Sequence, residues 1–222
     1  MNARLTLYLG WAAFFSGIAS IVALISLLLF FGLEASAGTP EGSHYWGPIS
    51  DISPIFQMLS LLIVALGFYS MLRTTAPRFS LISCMIGIAG MVGVMLLQIL
   101  LRLKILPFEQ EVTLVLFATT LVGGWLMMIS LMGRQQKIFP LQLAWLEVAI
   151  GAAFILEPII FTSTGGASAW RVFMSNYLFL TISAVVFLVS YIGFPIWAFW
   201  LSRIFLKTKE PRSNPAEVEL HT

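Results

Sequence analysis

Six apolar runs, each long enough to cross a bilayer, limit what this chain can fold into. A helix rises about 1.5 Å per residue and the hydrocarbon layer is about 30 Å thick, so a span needs roughly 20 mostly apolar residues. The runs extend from about Leu9 to Leu33, Pro54 to Leu72, Ser80 to Leu101, Val112 to Met132, Leu141 to Phe161 and Phe173 to Ile204. The last is too long to cross upright and is expected to tilt, to kink at Pro195 or to turn along the interface past Trp200. With 59% hydrophobic and 10% charged residues, the 222-residue chain lacks the charge to coat a water-facing globule. The expected fold class is all-α, a polytopic membrane protein built as a six-transmembrane-helix bundle.

The basic residues orient the bundle. Arg4 precedes the first run, Arg73 and Arg78 follow the second, Arg134 and Lys137 the fourth, and Arg203, Lys207, Lys209 and Arg212 the sixth. These nine of the twelve Lys and Arg fall on one side, and only Arg102, Lys104 and Arg171 on the other. Basic residues in short loops resist translocation, so both termini are expected to be cytoplasmic. The aromatic residues give a separate check. Trp11, Trp145, Trp197 and Trp200 then lie toward the inner interface, Trp46, Trp170 and Tyr177 toward the outer one, and only Trp125 well inside a span. Arg4, the first apolar run and Ala35-Ser36-Ala37 have the outline of a signal peptide. The run exceeds the roughly 7 to 15 residues of a signal core, which argues for a retained helix.

A single domain, residues 1–206, is expected, followed by a polar, Pro-containing tail over 207–222 that is expected to be disordered. The longest link runs from Glu34 to Ser53. The second and third runs loosely mirror the fourth and fifth. At an offset of 61, Arg73 falls on Arg134 and Gly90 on Gly151, with little further agreement, so chance similarity of two apolar hairpins accounts for the match.

Lipid tails are as apolar as Leu, so such helices associate through close packing and buried polar contacts. Small residues mark the candidate faces: Ala12, Ser16 and Ser20 beside Ala13 and Gly17; Gly87, Gly90 and Gly93 with Ala89; Gly123 and Gly124; and Gly151, Ala152 and Ala153. The glycines of the third run are not a nucleotide fingerprint, because no strand precedes them. The lone Cys84 is expected to pack as a small apolar residue near the inner end of the third helix.

The segment Ile138-Phe139-Pro140-Leu141, then Ala144-Trp145-Leu146, then Gly151, resembles one hairpin of a broad bacterial family of six-helix membrane proteins that has no agreed activity. The resemblance implies a six-helix protein of the bacterial cytoplasmic membrane and transfers no site residues.

An ionisable group at the bilayer centre costs roughly 2.5 to 3.5 kcal/mol, so carboxylates inside spans are functional candidates. Two qualify, both on the fifth helix. Glu147 lies about 9 Å from its inner end and Glu157 about 15 Å further out. The two differ by roughly 80° around the axis, so they do not share one site. Glu157 precedes Pro158, which removes a backbone donor and opens the helix at that level. At the same depth the topology places Gln57, Gln98 and Arg102, with Asp51 and His44 in the loop above. Glu157, Gln57, Gln98, Arg102 and Asp51 are the candidate ligand-binding residues, lining an outward-facing polar vestibule in which Arg102 is expected to pair with Glu157. The competing reading is that they are the wet outer ends of helices.

Glu41, His44 and Asp51 are too sparse a set, in one loop, to predict a metal site, and no cofactor is expected. Two histidines, both outside the spans, leave no His-Glu-x-x-His site and no intramembrane Ser-His pair, and one cysteine leaves no Cys-x-x-Cys pair. No catalytic residue is assigned. The basic inner face is accounted for by topology, so no nucleic-acid partner is expected. The remaining partners are the lipid bilayer and a small-molecule or ion ligand. Three function classes remain: a small transporter or membrane ligand-binding subunit; a non-catalytic accessory, sensor or scaffold protein; and, with least support, an intramembrane enzyme that would have to work with carboxylates and amides alone.

Overall fold

The computed structural model, which describes residues 3–35, 45–163 and 177–207, places the six apolar runs in six helical crossings. Helix α1 spans Ala3–Leu29 and continues through a π-helical turn, Phe30–Ala35. It is followed by α2 (Trp46–Leu72), α3 (Pro77–Arg102), α4 (Phe108–Gln135) and α5 (Leu141–Ser163). The sixth crossing is divided into α6 (Tyr177–Phe187), a π-helical turn (Leu188–Ile192) and α7 (Gly193–Lys207). There is no strand among the described residues. The expected tail beyond Lys207, together with Glu41, His44, Trp170 and Arg171, lies outside the described residues.

The first four helices begin before their apolar runs, and the extensions of α2 and α4 bear on function. Helix α2 starts at Trp46 instead of near Pro54. Pro48 occupies its first turn, where a missing N–H removes no helical bond. Asp51, expected in a loop, is therefore a helix residue. Helix α4 starts at Phe108, directly after Pro107 in extended backbone, which brings Glu111 from the expected loop into the helix.

Consecutive helices pack side by side, and α7 returns to α1, closing a ring of six crossings. Leu206 lies against Gly10, so the start of α1 and the end of α7 share one end of the bundle, called here the inner end. Phe56, Leu59, Ile63 and Leu66 form an exposed stripe on α2, at spacings of three and four, where lipid would cover them. Met58, Leu61, Val64, Ala65 and Phe68 of the same helix are buried.

Backbone contact between small residues sets the tightest seams. A Cβ built on Gly123 would stand 2.6 Å from the Gly151 carbonyl oxygen, and one on Gly151 would stand 2.6 Å from that of Gly123, so α4 and α5 touch main chain to main chain. Gly87 makes room for the buried Trp125 ring, whose Cγ would be 2.6 Å from an added Cβ. On the first helix, the Ser16 hydroxyl donates to the Gln57 carbonyl at 3.3 Å. Cys84 is buried, with Sγ 3.9 Å from the Ala65 carbonyl, as expected of a small packing residue.

Aromatic rings fill the inner half. Phe139, from the turn between α4 and α5, packs edge-on to Phe68 at 5.3 Å, and Phe68 meets Phe205 at 5.9 Å. Trp11 and Trp145 are exposed near the inner end, as interfacial anchors should be, and the Arg134 guanidinium lies 5.9 Å from the Trp145 ring. Trp197 departs from that expectation. It is fully buried, because its indole N–H is committed to a carboxyl group inside the bundle.

The glycine seam makes a paired prediction. Gly123→Ala should destabilise the protein by about 1–3 kcal/mol through overpacking against α5. Gly124→Ala, whose Cβ would meet nothing within 4 Å, should be neutral or stabilising. Thermal unfolding of the two variants in detergent separates these outcomes.

Candidate functional site

The polar side chains gather at the outer ends of the helices, opposite the inner end. Asp51 lies just inside the start of α2 and Arg102 at the end of α3, and they form an ion pair at 3.6 Å. This corrects the expected pairing of Arg102 with Glu157. The helical extension of α2 carries Asp51 down to the level of Arg102, and α5 presents Glu157 to the sixth crossing instead.

One turn below Arg102, Gln98 is 8% exposed, and its side-chain Nε2 donates to Glu111 Oε1 at 2.8 Å. Glu111 is itself 3% exposed. It was missed in the sequence because it falls one residue outside the apolar run. The available signal was Pro107, which with the acidic Glu109 and Glu111 in the following turn marks a helix start. The carboxyl groups of Asp51 and Glu111 lie within electrostatic reach of each other.

On α5, Glu157 Oε1 accepts a hydrogen bond from the Ser190 hydroxyl. Ser190 belongs to the π-helical turn of the sixth crossing, and its proton is shared with the Val186 carbonyl at 2.9 Å. Tyr191, the next residue, stacks on Phe187 with ring centroids 4.3 Å apart, and its phenol lies within electrostatic reach of both Glu157 and Glu111. Ser190 and Tyr191 were not singled out from the sequence. A one-turn π distortion inside an apolar run leaves no compositional trace, although such turns recur at functional sites.

Pro158 shapes the same level. It cannot donate to the Phe154 carbonyl; the Thr120 hydroxyl of α4, which donates to the Leu116 carbonyl of its own helix at 3.1 Å, shares its proton with the Phe154 carbonyl at 3.5 Å. Beneath Glu157 and Tyr191 lie Phe154 and Phe194, one turn further in on α5 and on the sixth crossing, with ring centroids 6.3 Å apart. Phe194 in turn packs against Trp197 at 5.3 Å. The polar cluster therefore rests on an aromatic floor.

Four of the five expected residues, Asp51, Gln98, Arg102 and Glu157, are thus brought to one end of the bundle, joined by Glu111, Ser190 and Tyr191. Gln57 does not join them by hydrogen bonding. It is buried on α2, six positions below Asp51, and its backbone carbonyl takes the Ser16 bond described above. Two buried acceptors of the cluster have no partner among the described residues, Gln98 Oε1 and Glu157 Oε2. No three described His, Cys, Asp or Glu side chains converge as a metal site.

Glu147 sits apart, in the aromatic inner half. It is 0% exposed, and its Oε1 accepts a 2.6 Å bond from Trp197 Nε1 while Oε2 has no partner. Both α5 carboxyl groups therefore take their donor from the sixth crossing, one above the aromatic floor and one below it.

Fold and site together define an integral, multi-pass membrane protein with six spanning helices. Compared with protein-family models, curated proteins and solved structures, the chain matches none.

The side-chain pairs make three predictions. A double-mutant cycle on Asp51→Asn and Arg102→Gln should return a coupling of about 0.2–1 kcal/mol, the usual value for a partly exposed pair. The cycle on Arg102→Gln and Glu157→Gln should be additive in thermal unfolding. Trp197→Phe removes the indole donor from the buried Glu147 carboxyl and should cost about 1–3 kcal/mol, whereas Glu147→Gln retains the acceptor and should cost less in the same measurement.

Proposed function

We propose that this protein is a small transporter or ligand-binding subunit of the bacterial cytoplasmic membrane, with both termini cytoplasmic, that takes a polar ligand from the outer side into the cluster of Asp51, Gln98, Arg102, Glu111 and Glu157. The observation that carries this reading is the convergence of polar groups from five crossings on one level, with two buried acceptors left over. Intramembrane carboxyl groups cost roughly 2.5 to 3.5 kcal/mol each at mid-bilayer and less near its edge. A bundle needed only for packing has no reason to bear that cost on α4 and α5 together. Ligand sites in membrane proteins are commonly built this way, from polar groups beside interrupted helices. Here the interruptions are Pro158 and the π-helical turn.

The aromatic floor favours capture from the outer side over a passage open at both ends. The same dense inner half also suits the second reading, an accessory, sensor or scaffold protein, in which the cluster is a structural feature of the outer rim.

A thermal-shift screen of detergent-purified protein against metabolites of differing charge, repeated on Glu157→Gln, tests the proposal. A bound ligand should raise the melting temperature by about 5–10 °C at about a hundredfold excess over Kd, and the shift should fall in the variant. Indifference of the wild-type protein to every compound would favour the scaffold.

A further inference from the structure

We infer that the outer cluster takes an organic cation, a protonated amine with an apolar body. The inference rests on the binding role proposed above and gives that site its ligand class. Charge is the first argument. The cluster holds three carboxyl groups, Asp51, Glu111 and Glu157, against one guanidinium, and Arg102 is committed to Asp51 at 3.6 Å. Glu111 and Glu157 are left with neutral donors, the Gln98 amide and the Ser190 hydroxyl. A cation would favour the ionised form of these carboxyl groups and meet its complement, whereas an anion would find only the committed Arg102 to pair with.

Hydrogen-bonding capacity is the second argument. The atoms of the cluster without a partner are both acceptors, Gln98 Oε1 and Glu157 Oε2. Gln98 is more than nine-tenths buried, and its amide is held at the cluster by the 2.8 Å bond to Glu111. A buried acceptor without a donor is costly, and an ammonium group carries three N–H donors and no acceptor.

Spacing separates an organic cation from a metal ion. The carboxyl groups do not converge on one point as metal ligands must, but run from Asp51 through Glu111 and Tyr191 to Glu157. A strip of acceptors suits donors spread along a molecule. The Phe187–Tyr191 stack beside it and the Phe154–Phe194 floor beneath it offer apolar and π surface to the carbon body of such a ligand.

Isothermal titration of the detergent-purified full-length chain, using cadaverine, glutarate and pentanediol, tests the ligand class on one carbon skeleton carrying amines, carboxylates or hydroxyls. Cadaverine should bind saturably, and glutarate and pentanediol at least about tenfold more weakly. Glu111→Gln and Glu157→Gln should each weaken cadaverine about tenfold or more, with each variant's folding checked by its gel-filtration profile. Glutarate or pentanediol binding as tightly as cadaverine would overturn the cation while leaving the site in place. Cadaverine binding that neither substitution alters, or no binding of cadaverine to the wild-type protein, would also overturn it. An uncharged or anionic ligand from the wider screen that depends on Glu157 would then show that the site survives without this ligand class.

Discussion

Hydrocarbon offers no hydrogen bonds and does not press apolar helices together, so this bundle stands on contacts that lipid cannot replace. Main-chain contact at Gly123 and Gly151 brings α4 and α5 as close as two helices can come. The same closeness lets Thr120 of α4 reach the carbonyl that Pro158 leaves without a donor on α5. Packing and polar satisfaction are thus one constraint here. The carbonyl left over by the proline beside Glu157 is met in part by a side-chain hydroxyl of the neighbouring helix.

That constraint divides the molecule by depth. Toward the inner end, Phe68, Phe139, Phe205 and Trp197 fill the space between helices, and among the described residues Glu147 is the one buried acidic group of that half. Toward the outer end, amides, carboxyl groups, a hydroxyl and a phenol share the interior. The boundary is the pair Phe154 and Phe194. The two elements that supply the boundary rings each carry an adaptation there, Pro158 on α5 and the π-helical turn on the sixth crossing, whereas α3 and α4 pass through as unbroken helices.

The architecture was legible because it follows from quantities a sequence displays directly: run length and the small-residue stripes. The number of crossings, the glycine seams and the burial of Cys84 and Trp125 all rest on these. The site was legible in part. Gln98, Arg102, Asp51 and Glu157 stand out as polar residues next to apolar runs, but their pairing depends on which helix extends past its apolar segment. Hydropathy places the start of the fourth run at Val112 and so leaves Glu111 outside, although the helix begins after Pro107. Trp197 was assigned to the interface by a general preference of tryptophan, and only the buried Glu147 on another helix explains why it lies inside. The partnership of Ser190 with Glu157 spans 33 positions and depends on a local widening of the helix that no residue type announces.

The wide turn at Leu188–Ile192 behaves as one surplus residue accommodated within the helix. Its presence sets the phase between two grips that α5 receives from the same neighbour, the hydroxyl above and the indole below. Shortening the chain by one residue there would restore regular winding and rotate one half against the other by about 100°. With the indole held in place, the hydroxyl would swing away from its carboxyl group. The ordinary helix is therefore the form this protein must avoid if both contacts are to exist at once.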